Sequence, residues 1–157
     1  MDKIPDKGQG IIVLYHGLTG CDIACLYSKV LLEKNRRIHI IIDNLLYKIP
    51  GAQTFFRALG LMNQNKEKCL ELLQKGELVG IYPGGVKELL FSDDYYKLVW
   101  GNHKGFARLA LETKSKIIPM FTKNSREIHG CIRLFSEEVV FSTYKKYGFP
   151  FGLIIWG

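Results

Sequence analysis

At 157 residues, 47% of them hydrophobic and 24% charged, the chain can bury the core of one domain and is not composed like a disordered segment. The net charge of +7 fits an anionic partner such as a membrane surface or a phosphate-rich ligand like coenzyme A. The cations are scattered without a long run, which argues against a nucleic-acid stripe.

No stretch reaches the roughly 18 apolar residues of a spanning helix, and the opening MDKIPDKGQG lacks the apolar centre of a secretory signal. Any membrane role is therefore expected to be contact rather than crossing. Cys21, Cys25, Cys69 and Cys131 form no Cys-x-x-Cys pair and no zinc spacing with histidine. Free thiols in a reducing compartment are expected.

Gly10–Tyr15 (GIIVLY) is a short apolar run that predicts a buried strand, ending at His16-Gly17 with Leu18–Gly20 as a loop. Ile23, Leu26, Tyr27, Val30 and Leu31 then recur at the spacing of one helical face, with Thr19 as N-cap. Arg37–Asp43 predicts a second strand. Pro50-Gly51 punctuates the chain before a short helix over Ala52–Leu59.

A helix over Asn65–Lys75 buries Cys69, Leu72 and Leu73 and stops at Gly76. Glu77–Tyr82 is a third strand closed by Pro83-Gly84-Gly85. Lys104–Lys114 is a helix turning Phe106, Leu109 and Ala110 inward. Lys116–Thr122 is a fourth strand, and its Pro119 marks an edge or a bulge. The apolar ending FPFGLIIWG has no polar tail, so the single domain over 1–157 is read as truncated at its C-terminus, with a further segment expected before Met1.

Strands alternating with helices predict an α/β fold with a mixed, largely parallel sheet flanked by helices. Ligands gather at the carboxyl ends of the strands in such sheets. His16 and the Pro83–Glu88 turn both follow strand ends, which puts them on one rim.

Two readings of His16 and Asp22 stand side by side. The carboxylate can fix the imidazole tautomer so that the other ring nitrogen takes a proton. Alternatively, Thr19-x-x-Asp22 is a capping box and His16 a loop residue bonded to backbone. The Pro83-Gly84-Gly85-Val86-Lys87-Glu88 run is equally a plain turn or a place where backbone N–H groups approach an oxyanion or phosphate.

Taken with Gly51…Arg57 and Ile117-Ile118-Pro119, the order His16…Asp22, Gly51…Arg57, Pro83-Gly84-Gly85, Ile117-Ile118-Pro119 resembles the four blocks of the glycerolipid acyltransferase superfamily. It is most similar to the monoacylglycerol/diacylglycerol acyltransferase-like branch with a Pro-Gly-Gly turn. Trp100-Gly101-Asn102-His103-Lys104-Gly105-Phe106 adds to the likeness. The resemblance covers about Gly10 to Phe121.

The resemblance implies an acyltransferase-like fold and transfer of a fatty acyl group from acyl-CoA to a glycerolipid hydroxyl. His16 would be the general base, with Asp22 orienting it. Gly51, Arg57, Pro83, Gly84, Gly85, Lys87 and Glu88 would contact substrate, with Lys87 and Arg57 near coenzyme A phosphates or the acceptor.

Acyl-CoA is then a co-substrate, no metal or other cofactor is implied, and the partners are a lipid acceptor and a membrane surface, with no nucleic acid. The location expected is membrane-associated, at the endoplasmic reticulum. Two departures stand out. Five residues separate His16 from Asp22 where four are commonest in the superfamily. Gly84-Gly85-Val86-Lys87 also replaces the Glu-Gly-Thr-Arg of phosphate-handling members. Lysine cannot make the bidentate arginine fork, which favours a neutral mono- or diacylglycerol acceptor.

Two rival functions are weaker. An α/β-hydrolase-like esterase would suit VLYHGLTG, but no serine has the flanking glycines of a nucleophile elbow. A non-catalytic membrane-surface lipid-binding module would use Phe55, Phe56, Leu59, Leu61 and Met62 near Arg57, and Tyr144, Tyr147, Phe149, Phe151 and Trp156 near Lys145 and Lys146. His39 is expected in the core, His103 and His129 show no partner at a telling spacing, and Asp93-Asp94 is a solvated pair.

Overall fold

The computed structural model describes residues 2–17, 21–47, 50–127, 130–147, 151 and 153–156. The proposed N-cap Thr19, Phe149 and His129 lie outside them.

The first strand, β1 (Gly10–Leu14), is buried at every position, as a strand covered on both faces must be. Helix α1 (Cys21–Lys34) and strand β2 (Ile38–Ile42) follow, then the single turn α2 (Asn44–Tyr47), helix α3 (Ala52–Ala58) and the short strand β3 (Leu61–Asn63). Helix α4 (Lys66–Gln74) leads into β4 (Leu78–Ile81), α5 (Gly85–Phe91), α6 (Gly105–Thr113) and β5 (Lys116–Met120). A two-stranded antiparallel unit of β6 (Gly130–Arg133) and β7 (Leu153–Trp156), joined through helix α7 (Glu137–Tyr147), closes the described chain.

The five main strands are all parallel, in the order β3-β2-β4-β1-β5. Alternation along β1 sends its side chains to opposite faces. Ile12 and Leu14 join Ile23, Tyr27 and Val30 of α1, together with Ile38, Ile40 and Leu78. Ile11 and Val13 join Cys69, Leu72 and Leu73 of α4, with Leu109 and Ala110 of α6. The inward face expected of α1 holds for Ile23, Tyr27 and Val30, whereas Leu31 is 36% exposed at its margin.

Local chemistry sets the boundaries. The Asn65 side chain accepts the Lys68 N–H at 2.7 Å and starts α4. At the other end Gly76 takes φ 82°, its N–H donates to Leu73 C=O and that of Glu77 to Leu72 C=O. This crossed pair satisfies the last carbonyls of the helix. Gly60, at φ +70°, lies where a Cβ would stand 2.5 Å from the Ile38 carbonyl oxygen, so only glycine permits the close turn into β3. Pro119 sits on β5, which among the described residues pairs only with β1 and forms a sheet edge, where its missing N–H is tolerated.

The order has a consequence for function. The chain leaves β1 through α1 toward β2, whereas it leaves β4 through α5 and α6 toward β5 on the far side of β1. Two adjacent strands whose connections run in opposite directions, α1 on one face of the sheet and α6 on the other, mark at their carboxyl ends the usual ligand position of such sheets.

Candidate active site

His16 and the Pro-Gly-Gly turn meet at those strand ends. The imidazole packs on Tyr82 with ring centroids 4.6 Å apart. Its Nδ1 lies 2.9 Å from the Gly17 carbonyl oxygen. A carbonyl only accepts, so Nδ1 carries the proton and Nε2 keeps its lone pair. Burial holds the His16 pKa below the ordinary histidine value; the Gly17 carbonyl and the Asp22 charge oppose that shift, and Arg126 adds to it.

Asp22, in the first turn of α1, is near enough for its charge to act on both His16 and the buried Tyr82 hydroxyl. Its Oδ1 accepts the Ile23 N–H at 2.9 Å and its Oδ2 accepts the Thr122 hydroxyl at 3.2 Å. Block one is thereby tied to the chain leaving β5.

The segment from Pro83 to Glu88, expected as a turn, passes directly into helix α5. Glu88 is fully buried, and its carboxylate accepts two backbone N–H groups, His16 at 3.0 Å and Val99 at 3.1 Å. A carboxylate satisfied this way fixes the strand end that carries the histidine. Gly84 makes room for it, since a Cβ there would stand 2.4 Å from Glu88 Cβ.

The Gly85 N–H donates to Tyr82 C=O at 3.1 Å, which leaves Gly84 as the glycine whose N–H the turn itself does not use. Pro83 is buried and its carbonyl accepts the Nδ1–H of His103 at 2.9 Å. The Trp100–Phe106 segment therefore braces the turn through a histidine for which the sequence offered no partner.

The other block residues stand apart from this cluster. Gly51 (φ 79°) is the N-cap of α3. Arg57 is exposed, and its Nε donates to the Tyr47 hydroxyl at 3.4 Å. Both lie on the β2 side, separated from β1 by β4. Lys87 faces α7, its ammonium 4.8 Å from the centroid of the Phe141 ring. Among the described residues no group of three His, Cys, Asp or Glu is placed to hold a metal ion.

Sequence reasoning passed over Tyr15, Ser92 and Arg126. The Tyr15 hydroxyl donates to Ser92 Oγ at 2.7 Å and accepts from Arg126 Nε. Arg126 Nη2 donates to the carbonyls of Glu88 at 3.0 Å and Leu89 at 3.3 Å. The available signal was topological: the loop after β5 had to open on the same rim as His16.

The Acyltransferase family model matches residues 1–123 of this chain. The chain belongs to the acyltransferase family. It is 40% identical over all 157 residues to the Bos taurus protein named DGAT1/2-independent enzyme synthesizing storage lipids, of which it covers 46%. The Mus musculus acyl-CoA wax alcohol acyltransferase 1 is 33% identical over 103 residues, 64% of this chain and 31% of that protein. Phytyl ester synthase 2 of Arabidopsis thaliana is 26% identical over 127 residues, 76% of this chain and 18% of that protein. The chain thus spans about half the length of the bovine relative or less of the others. No solved structure matches it. The α/β fold expected of an acyltransferase domain is present, with its main sheet wholly parallel.

Proposed function

We propose that this acyltransferase-family chain carries the reacting centre of an enzyme that moves a fatty acyl group from acyl-CoA to a glycerolipid hydroxyl, with a neutral mono- or diacylglycerol as acceptor. The observation that carries the reading is the setting of His16: its Nδ1 is bonded to the Gly17 carbonyl, which leaves Nε2 to take a proton, at the carboxyl end of β1 beside the glycine turn. A relative that synthesises storage lipids and another that acylates wax alcohols support it.

In this reading Nε2 takes the proton of the acceptor hydroxyl as its oxygen attacks the thioester carbonyl. The tetrahedral oxyanion is met by the Gly84 N–H. The carbon–sulfur bond then breaks, and the leaving thiolate receives the proton from the imidazolium to give free coenzyme A. Asp22 stabilises the imidazolium in passing, and Glu88 keeps the His16 backbone in place. Arg57, on the β2 side, is available to the acceptor or to coenzyme A phosphates. Lys87, turned to Phe141, is the weaker candidate for that task.

Work at a membrane surface belongs to the same proposal, at the endoplasmic reticulum and with the site toward a reducing compartment. Among the described residues no helix is long and apolar enough to cross a bilayer.

The test is acyl transfer from radiolabelled acyl-CoA by the longest form of the protein and its His16→Ala variant, offering monoacylglycerol, diacylglycerol and lysophosphatidate in turn. Product with the neutral acceptors, lost on substitution in a folded protein, upholds the reading. An equally active variant removes His16 from the mechanism, and labelled lysophosphatidate product alone overturns the acceptor class.

A further inference from the structure

The rim that carries His16 is also held by a half-buried guanidinium. Arg126 reaches three groups from two segments. Its Nε donates to the hydroxyl of Tyr15, the residue before the histidine. Its Nη2 donates to the carbonyls of Glu88 and Leu89 near the end of α5. The guanidinium carbon lies 5.8 Å from the centroid of the Tyr15 ring, and the Tyr15 hydroxyl is itself anchored on buried Ser92.

The turn that bears Arg126 is fixed in its own right. The Arg126 N–H donates to the Tyr96 hydroxyl at 3.5 Å, and that hydroxyl donates to Glu127. Arg126 also lies beyond residue 123, where the family match ends, so the family assignment gives it no role.

We propose that Arg126 is a positioning residue for His16: its fork ties the end of β1, which carries the histidine, to the carbonyl end of α5. The planar fork is what makes this possible. Only arginine spans a hydroxyl and two carbonyls from one rigid group. A permanent cation nearby makes a second positive charge on the ring unfavourable.

The charged and titratable groups facing His16 are few: Asp22, which favours the imidazolium; Arg126, which disfavours it; Tyr82 against the ring; and Glu88 on its backbone N–H. Removing the Arg126 charge leaves burial alone to oppose Asp22 and the Gly17 carbonyl, and the His16 imidazole should hold its proton to higher pH.

The proposal rests on the reading of His16 as base, and its test does not depend on activity alone. The full-length protein and its Arg126→Gln and Arg126→Lys variants are treated with diethylpyrocarbonate across the pH range, and modification of His16 is followed by peptide mass spectrometry. Only the neutral ring reacts.

In Arg126→Gln the midpoint of His16 modification should move to higher pH. Acyl transfer should then fall more at a pH near the native midpoint than at about pH 8, by about threefold or more in the ratio of the two losses. Arg126→Lys should keep a midpoint close to the native one, because the charge remains, while losing thermal stability and kcat because the fork is gone.

A folded Arg126→Gln protein with native kcat and stability overturns the tie, and an unmoved midpoint denies the guanidinium any influence on the ring. If that variant does not fold, Arg126→Lys still decides, since native kcat and stability with lysine overturn the tie. Full activity in His16→Ala would instead sink the base assignment, and the modification midpoints would still judge Arg126.

Discussion

The two histidines at opposite ends of the sheet differ in what surrounds them. Both imidazoles are pushed toward the neutral form by burial. His39, near the amino end of β2, is not enclosed in the core as its apolar strand suggested. Its Nε2 stands 4.0 Å from Glu77, with both side chains partly exposed. His16 has its backbone held by Glu88, its ring by Gly17 and Tyr82, and an arginine network on its rim.

Each end also has an arginine gathering carbonyls. Arg36 takes those of Pro5 at 2.7 Å, Gly8 at 2.8 Å and Gly76 at 2.6 Å, and by these bonds it only staples loops together. A depressed histidine pKa is thus common to both ends. Only at the carboxyl end is the ring oriented by a backbone carbonyl and an aromatic neighbour, beside the glycine turn.

The strongest way to break this comparison is substitution of the two rings. His16→Ala should lower kcat/KM for acyl transfer by about 10²–10⁴, whereas His39→Ala should stay within about twofold. Equal losses would mean that both act only through folding.

Next is the acid at each end. Glu88→Ala strands two half-buried N–H donors and should cost about 2–4 kcal/mol in denaturant unfolding, against under about 1 kcal/mol for Glu77→Ala at its partly exposed pair. Similar values would deny Glu88 its place in holding the rim.

Glycines give a smaller contrast. Gly84→Ala drives a methyl into Glu88 and should cost about 1–3 kcal/mol, with activity falling alongside. Gly76→Ala, which meets nothing closer than 3.7 Å, should cost about 1 kcal/mol through its positive φ and leave activity intact.

The smallest effect concerns pH. Both histidine pKa values lie below the unfolded value near 6.5, so the unfolded chain binds more protons as acid is added. Stability should be full above that value and decline as pH falls through it toward the folded values. His39→Gln and His16→Gln should each flatten the decline in a pH series of thermal melts, and an unchanged slope in both would refute the linkage.

Much of the fold was legible because the long elements state their period plainly. The apolar run of β1 and the inward stripe of Cys69, Leu72 and Leu73 needed no tertiary help. Pro119 marked an edge or a bulge, and among the described strands β5 is an edge. The three-residue β3 was invisible because its extended form comes from pairing with β2, not from any pattern in Leu-Met-Asn.

Helix α5 was taken for a turn because two glycines open it and its buried contact is a glutamate, which no hydrophobic period reports. At the site, His16 and the glycine turn were found from strand ends. The use of Glu88 as an internal acceptor, and of Arg126 at all, depended on contacts 72 and 111 residues apart in sequence.

The edges of the main sheet carry one more implication, for how such a chain behaves while it is being made. β3 is only three residues long, and β5 bears exposed Lys116 and Pro119. A short strand and one broken by a missing donor are poor templates for a strand from another molecule. The parallel sheet must assemble from pairings distant in sequence, and that slow step leaves edges open to neighbours. These two edges limit runaway association between nascent copies during that interval.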